Sequence, residues 1–311
     1  MPRLNYIVQF THPGGEHTLS RSEKKTGIKQ WNYGKHRRKF IATTGACLDH
    51  SGRLLTNQEL LFWGEWEPTS KVTTIFATSG SGVMPTLVHE PYLVLDPKRI
   101  PVVPYYGKTR TSKPSERQNT DPFVFADNFY YCCCKQTRFK QLQQLEKGSI
   151  ILFGSTILAK QGRPYFVLDT VFVVGDFKCY TPGTYATDLA GFIPPVYDEI
   201  MGFKHWANPH QQFVCYKGAT YREPINEMFS YAPCRIKDGG VIGFPRVRIN
   251  SIPLNSIIAG KNIITDNLNS APKYSLLVSA SCSKLIWDEI SKQVEGQGYL
   301  KGIQFDYKTI I

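Results

Sequence analysis

Two neighbouring stretches rich in branched and aromatic residues constrain the fold more than any other feature. They read "SIILFGS" (149–155) and "PYFVLDTVFVV" (164–174), and a short loop around Gly162 separates them. Such residues favour strands, so the pattern predicts a hairpin of two buried strands. The chain is 13% aromatic and contains 20 Pro and 25 Gly, which indicates many turns and few long helices.

Three further patterns complete the predicted secondary structure. "FVFADNFYY" (123–131) is typical of a strand or a strand plus turn, and "LKGIQFDYKT" near the end is typical of a closing strand. Helical spacing of apolar residues predicts a short helix ended by Gly148 and a longer one over about 283–295. The residues that set this spacing are Phe139, Leu142 and Leu145 in the first helix, and Leu285, Ile286, Ile290 and Val294 in the second. The predicted class is α+β, with a mostly antiparallel sheet or barrel and a few short helices.

Charge and residue composition divide the 311 residues into two parts. Residues 1–118 form a basic part that is predicted to be continuous with the rest, and residues 119–311 form a β-rich part with the C-terminal helix. Residues 96–118 are rich in Pro, Ser, Thr and Lys without a helical period, which predicts a long surface connection.

Charge indicates the class of partner. The net charge is +12, and residues 1–50 contain nine Lys or Arg against three acids. Such a protein seeks polyanions, and nucleic acid is the predicted partner, DNA before RNA. No run of 18 apolar residues predicts a membrane span, and the N-terminus lacks the apolar core of a signal peptide, so we expect a cytoplasmic protein.

The cysteines are predicted to be free thiols that hold no cofactor. The eight cysteines include three in succession, Cys132 to Cys134, and no C-x-x-C pair occurs. We expect them to be mostly reduced and buried. Adjacent cysteines in a strand would face opposite sides and could not chelate one ion together. No metal or other cofactor is therefore predicted.

The run "LEKGSIILFGS…PYFVLDTVFVV" (145–174) resembles PUA-like barrel domains of the EVE and ASCH branches, although Asp169 stands where those domains have a small residue. "HPGGEH", "WNYGKHRRKF", "FWGEWEP", "TDPFVFADNFYYCCCKQ" and "ATYREPINEMFSYAPC" resemble segments of bacterial nucleotide-modification-associated proteins. The resemblance implies a PUA-like fold and recognition of bases in a pocket, and it supplies no reaction.

Basic and aromatic residues alternate in "WNYGKHRRKF" (31–40), as a contact with single-stranded or flipped bases requires. Arg37, Arg38 and Lys39 are candidates to hold phosphates, and Trp31, Trp66 and Tyr130 are candidates to stack on bases. The other candidate nucleic-acid ligands are His12, His17, Asn32, His36, Gln136 and Asp169. An ordinary solvated basic turn with Trp31 packed in the core is the alternative interpretation of this stretch. For Tyr130 the alternative is a position in the core.

Carboxylates supply the candidate chemistry. Glu65 and Glu67 stand at alternate positions in "FWGEWEP", so in a strand both would project from one face. Such a pair can divide acid and base roles or bind a metal. Asp121 precedes the aromatic run at 123–131 and Asp127 interrupts it, and burial there would raise a carboxylate pKa. The alternatives are that Glu65 and Glu67 neutralise nearby Arg and Lys, and that both aspartates cap turns.

"HPGGEH" (12–17) loads a sharp turn with His12, Glu16 and His17. Its glycines rule out the helix that an H-E-x-x-H metal site needs. Two interpretations of the turn remain: a polar loop that lines a nucleic-acid site, and a purely structural turn. Asp169 lies inside an apolar strand, and three interpretations are open. It reads a base edge, it marks a bulge, or it forms a buried ion pair with an arginine.

These features predict a DNA-binding protein that acts on modified bases. The preferred hypothesis is a glycosylase for hypermodified, phage-type DNA, in which Glu16, Glu65, Glu67, Asp121 or Asp127 activates water on a flipped nucleotide without a cofactor. A non-catalytic reader of modified DNA or RNA bases is the alternative. A protein whose charge meets an acidic partner is a third hypothesis.

Overall fold

The structure is a computed structural model that describes residues 3–12, 14–31, 36–75, 84–94, 120–157, 164–201, 208–238, 243–258 and 276–310. The strands in these ranges are β1 (Tyr6–Thr11), β2 (Ile28–Lys29), β3 (Lys39–Leu48), β4 (Leu54–Gly64), β5 (Ser70–Thr74), β6 (Leu87–Val94), β7 (Phe123–Phe125), β8 (Asn128–Tyr131), β9 (Ile150–Ile157), β10 (Tyr165–Tyr180), β11 (Phe213–Gly218), β12 (Ala232–Ile236), β13 (Val247–Arg248), β14 (Leu276–Leu277), β15 (Leu300–Asp306) and β16 (Lys308–Ile310). The helices are α1 (Arg21–Thr26), α2 (Tyr185–Asp188), α3 (Pro195–Met201), α4 (Ser251–Ile257) and α5 (Ala280–Gly296).

The described strands form two eight-stranded sheets. The first runs β14-β1-β9-β10-β11-β8-β7, with β13 paired to β10, and the second runs β15-β12-β4-β3-β6-β5-β2, with β16 paired to β6. Most neighbours are antiparallel, whereas β1–β9, β3–β6 and β6–β16 are parallel. The α+β class with a mostly antiparallel sheet is thus confirmed.

The strongest sequence signals correspond to observed elements. β9 and β10 pair antiparallel as the predicted hairpin, and β7 and β8 form a hairpin within residues 123–131. α5 covers the predicted C-terminal helix and buries Ile286, Ile290 and Val294, although Leu285 is exposed. β15 and β16 form the closing strands.

The prediction of a helix that ends at Gly148 is wrong. Only one 3-10 turn, Lys140–Gln143, forms there. Leu142 and Leu145 are still fully buried, so the apolar residues that suggested a helical face instead anchor an irregular connection to the core.

Two short contacts and a shared core hold the sheets together. Val171 of β10 exchanges backbone hydrogen bonds with Tyr231 beside β12, and Ala126 exchanges them with Phe305 of β15. Apolar side chains from both sheets pack in one cluster that includes Phe62. The functional candidates lie where these sheets meet.

Gly45 allows β15 to pair with β3. A Cβ at this position would lie 2.0 Å from the carbonyl oxygen of Gln304, so a larger residue would push the two strands apart. The strands β3, β4, β12 and β15 thereby close a ring of pairings.

All eight cysteines are free, and Cys47, Cys132, Cys133, Cys215 and Cys234 are buried. No helix within the described ranges is long and apolar enough to cross a bilayer. The boundary near residue 118 stays a prediction, since residues 95–119, including all of the predicted surface connection, lie outside the described residues.

Candidate functional site

Six ionisable side chains converge where β1 ends, β3 begins and β4 ends. They form a charged centre, which we define as His12, His36, Arg38, Lys39, Glu65 and Glu67. Pairing of Lys39 with Gly64 brings the start of β3 beside the residues that follow β4. Backbone hydrogen bonds between Arg38 and both Gly15 and His17 then hold the "HPGGEH" turn against the same point.

Glu65 lies in the middle of the charged centre. Its Oε2 is 2.7 Å from the Arg38 guanidinium and 3.0 Å from His12 Nδ1, and its Oε1 is 2.8 Å from His36 Nδ1. The Glu65 side chain has no exposed surface, and Arg38 is also buried. β4 ends at Gly64, so Glu65 and Glu67 do not lie in a strand, yet both carboxylates point into this centre.

Glu67 shares His36 with Glu65. Its Oε1 is 3.2 Å from His36 Nδ1, and its Oε2 is 2.9 Å from Lys39 Nζ. Glu67 and Lys39 are fully buried, whereas 24% of the His36 side chain is exposed. His36 therefore connects the carboxylates to solvent.

Lys29 fixes the backbone that carries Glu67. Its buried ammonium donates to the carbonyls of Gln30, Glu67 and Pro68 at 3.0, 2.8 and 2.6 Å. Burial places its pKa well below the usual value. No sequence pattern had singled out this residue, because a lysine in a basic segment is normally solvated.

The two imidazoles of the centre differ in charge. Burial lowers the pKa of His12 to about 3 in spite of Glu65, so this ring is neutral. Burial also opposes the charge on His36, but the carboxylates of Glu65 and Glu67 outweigh it and raise its pKa to about 10. The His12–Glu65 contact is therefore one between a neutral ring and a carboxylate, whereas His36 is a cation between two anions.

Asp169 forms a buried pair with Arg246, and Arg38 Nη1 of the charged centre lies 3.5 Å from its Oδ2. Asp169 lies at an irregularity in the β9–β10 register, and Arg246 donates to both its oxygens at 2.8 and 2.6 Å. Arg246 also donates to Ser155 Oγ at 2.8 Å. A bulge and an arginine pair thus both occur here, and the Asp169 carboxylate is buried, so its acceptor oxygens are not presented to a base. Arg246, 77 residues away, has no sequence signal.

A small cavity lies between Glu65 and Asp169, beside the Arg38 guanidinium that contacts both carboxylates. Its volume is about 10 Å³, and its lining includes Glu65, Arg38, Asp169 and Thr170 together with apolar side chains. This is about the space that one water molecule needs, and the polar lining would hold it.

Asp121 is buried beside the successive cysteines. Its carboxylate accepts backbone hydrogen bonds from Cys132, Cys133 and Cys134 at 3.3, 3.4 and 3.0 Å. Burial outweighs these bonds and, with the nearby charge of Glu65, raises its pKa to about 7. Asp127 lies beyond the opposite end of β7, in a turn where it accepts from the Asn128 amide. The two aspartates are therefore not one pair.

Among the described residues, two sets of ligand atoms are compact enough to hold a metal ion. One is His36, Glu65 and Glu67, and the other is Asp121, Cys132 and Cys133, in each case within 4.8 Å of one another. β8 ends at Tyr131, so the cysteines leave the strand before alternation could separate their thiols. The expectation that adjacent cysteines cannot share an ion is thus wrong in geometry.

The "HPGGEH" turn does not form one ligand set. His12 reaches Glu65, whereas the Glu16 carboxylate accepts from the Thr86 amide and hydroxyl and the Leu87 amide at 2.7–3.0 Å. His17 packs edge-on against His89, with ring centroids 5.7 Å apart. The turn therefore joins β1, β3 and β6, and only His12 belongs to the charged centre.

The aromatic candidates are core residues. Trp66 is 1% exposed, packs on Tyr307 and donates to the Thr69 carbonyl. Tyr130 is stacked on Tyr197 with ring centroids 4.8 Å apart. Trp31 is also buried. The prediction that these rings stack on bases is wrong for this conformation, because protein atoms already cover their faces.

Most basic and amide candidates are likewise internal. Arg38 and Lys39 bind carboxylates and do not face solvent as phosphate ligands would, which corrects that expectation. Gln136 is buried and bonds to both the amide and the carbonyl of Val214. Arg37 is partly exposed. Asn32 lies outside the described residues.

Comparison of the chain with protein-family models, with curated proteins and with solved structures found no match.

Proposed function

We propose that this protein is a hydrolase that acts on nucleic acid, and that the charged centre is its catalytic site. One observation carries the proposal: two buried carboxylates share the partly exposed imidazole of His36. Burying so many charges is a poor way to gain stability, because desolvation offsets the attraction between them. Clusters of this kind are typical of functional sites.

Removal of a modified base is the reaction that these groups serve best. Cleavage of a glycosidic bond passes through an oxocarbenium-like state, which a carboxylate stabilises while a second group handles the proton of the attacking water. Glu65 and Glu67 would supply the negative charge, and the cavity beside Glu65 has room for about one water. His36 would face the flipped nucleotide, since it is the most exposed member of the centre.

The net charge of +12 supports a polyanionic substrate. Because Lys29, Arg38 and Lys39 are buried, other cations must meet the phosphates. Arg21, Lys24 and Lys25 of α1 are exposed. Glu23 of the same helix lies 3.9 Å from His17, in the turn that ends at the charged centre. These exposed cations are therefore the proposed phosphate contacts.

The test is base release from defined substrates. Unmodified, hydroxymethylated and glucosylated DNA, with matched RNA, would be incubated with the full chain in chelator and in added metal, then treated with mild alkali. We expect alkali-labile breaks in one modified DNA. Glu65→Gln should abolish them. Glu59→Gln should not, because Glu59 is an exposed carboxylate on β4 that pairs with Lys237.

Absence of breaks in every substrate would overturn the proposal. If the protein nevertheless bound one modified DNA selectively, a non-catalytic reader would replace the hydrolase. Breaks that persist at the same rate in Glu65→Gln would leave an enzyme but remove the charged centre from its mechanism.

A further inference from the structure

His36 Nδ1 faces two carboxylate oxygens at once. It lies 2.8 Å from Glu65 Oε1 and 3.2 Å from Glu67 Oε1. Neighbouring ligands around a first-row metal ion, with bonds of about 2.0–2.2 Å, are roughly 3 Å apart. Both separations from His36 Nδ1 have this value, and one ligand atom from each of the three residues lies within 4.8 Å of the other two, which is compact enough to surround one ion.

Hydrogen bonds do not satisfy this arrangement. One ring nitrogen carries at most one hydrogen and can direct it well at only one oxygen. Glu65 Oε1 is buried, and among the described atoms it has no aligned hydrogen bond despite its short contact with His36. A cation placed between the three atoms would satisfy all of them.

The far side of each carboxylate is held as a ligating carboxylate would be. Arg38 binds Oε2 of Glu65 at 2.7 Å, and Lys39 lies 2.9 Å from Oε2 of Glu67. Each side chain thus keeps Oε1 turned towards His36. Outer partners that orient ligands in this way are a regular part of metal sites.

We propose that His36, Glu65 and Glu67 bind one divalent first-row transition-metal ion. Imidazole together with two carboxylates suits Zn²⁺ or Mn²⁺, and the partly exposed His36 is the side from which water would reach the ion. Bound metal would replace the proton of His36, and Arg38 and Lys39 would stay on the opposite oxygens. An ion in an open site of this kind lowers the pKa of bound water, which would supply the attacking group of the proposed hydrolysis.

This inference rests on ligand geometry and needs the proposed function only for the role of that water. Binding can therefore be tested without a substrate. The full chain would be freed of metal with chelator and titrated calorimetrically with Zn²⁺ and with Mn²⁺. We expect one equivalent to bind, and Glu65→Gln, Glu67→Gln and His36→Gln to weaken binding about 100-fold or more, since each removes a direct ligand.

Two matched variants control for unspecific loss. Glu59→Gln and His50→Gln change exposed residues of the same types and should bind metal as the wild type does. Circular dichroism would establish that each variant is folded. If no metal bound to the wild type, or if it bound equally to all three ligand variants, the proposal would be overturned.

A measurement on the wild type alone covers the case in which ligand variants fail to fold. Co²⁺ bound by one imidazole and two carboxylates absorbs weakly in the visible range and lacks the intense near-ultraviolet band of a cobalt–thiolate bond. We expect the weak spectrum. An intense thiolate band would place the ion at Asp121, Cys132 and Cys133 and refute the His36 site.

The outcomes separate this inference from the function. Metal binding without base release would keep the site and remove the proposed reaction. Base release in chelator by a protein that binds no metal would keep the reaction and remove the site.

Discussion

The Asp169–Arg246 pair and the charged centre around Glu65 and Glu67 are equally buried but differ in how their polar atoms are satisfied. Arg246 donates two short bonds to Asp169 and a third to Ser155. In the charged centre, Glu65 Oε1, Glu67 Oε2 and His12 Nδ1 are within contact of partners but lack aligned hydrogen bonds. Asp169 is sealed, whereas the centre reaches solvent through His36.

This difference separates a structural ion pair from a functional one. An ion pair whose donors and acceptors are all hydrogen-bonded fixes the local structure. It leaves no polar atom free to bind a substrate. A group of charges that converge without matched bonds retains capacity to bind a proton, a metal ion or a reacting atom. Substitutions in the two systems should therefore affect different properties.

The largest loss of stability should follow from Arg246→Met. It leaves the Asp169 carboxylate buried without its partner, and breaking such a pair costs about 3–5 kcal/mol. Urea denaturation would measure the change in the free energy of unfolding. Arg248→Met, two residues further along the chain but exposed, should cost less than about 1 kcal/mol. Equal losses in the two variants would show that the pair is not structural.

Lys29→Met should be nearly as damaging, at about 3 kcal/mol, because three carbonyl groups lose their buried donor. The same denaturation experiment measures it, with the exposed Lys25→Met of α1 as its control. If Lys29→Met matched the control, Lys29 would not hold the backbone of Glu67.

A smaller stability change, below about 1.5 kcal/mol, should follow from Glu67→Gln. Its partners Lys39 and His36 can give up a proton when the carboxylate is lost, whereas Arg246 cannot. Asp169→Asn is the matched change in the structural pair and should destabilise the protein more. The reverse order, read from the two urea midpoints, would contradict the division between the two systems.

The smallest effect should come from the surface. Lys24→Glu should weaken binding to DNA several-fold and reduce the dependence of affinity on salt by about one phosphate contact. Lys292→Glu, an exposed lysine on α5, should leave both unchanged. Fluorescence anisotropy at several salt concentrations would measure this. Equal effects of the two changes would mean that α1 has no special place in the contact.

The sequence predicts features that form within one segment of the chain, and it does not predict contacts between distant segments. The β9–β10 hairpin and α5 were predicted because dense β-formers and helical spacing lie within single segments. Partners such as Arg246 for Asp169 come from distant segments, which no local pattern connects. Sequence did place Glu65 and Glu67 among the candidates, and neutralisation by nearby basic residues was the alternative that their contacts with Arg38 and Lys39 match.

The errors also have physical causes. The prediction places Trp31, Trp66 and Tyr130 on a surface because they adjoin charged residues. All three are buried, since large aromatic side chains contribute more stability when they fill a core. Arg38 and Lys39 were assigned to phosphates for the same reason. A basic run carries no sign of which members will meet buried carboxylates after folding.

The central claim is that the charged centre serves chemistry and not stability. The most direct test measures base release from the susceptible modified DNA, per folded molecule, for the wild type, Glu67→Gln and Glu59→Gln. The claim predicts a loss of about 100-fold or more in Glu67→Gln, whose fold is retained, and none in Glu59→Gln. Release by folded Glu67→Gln at the wild-type rate would contradict it.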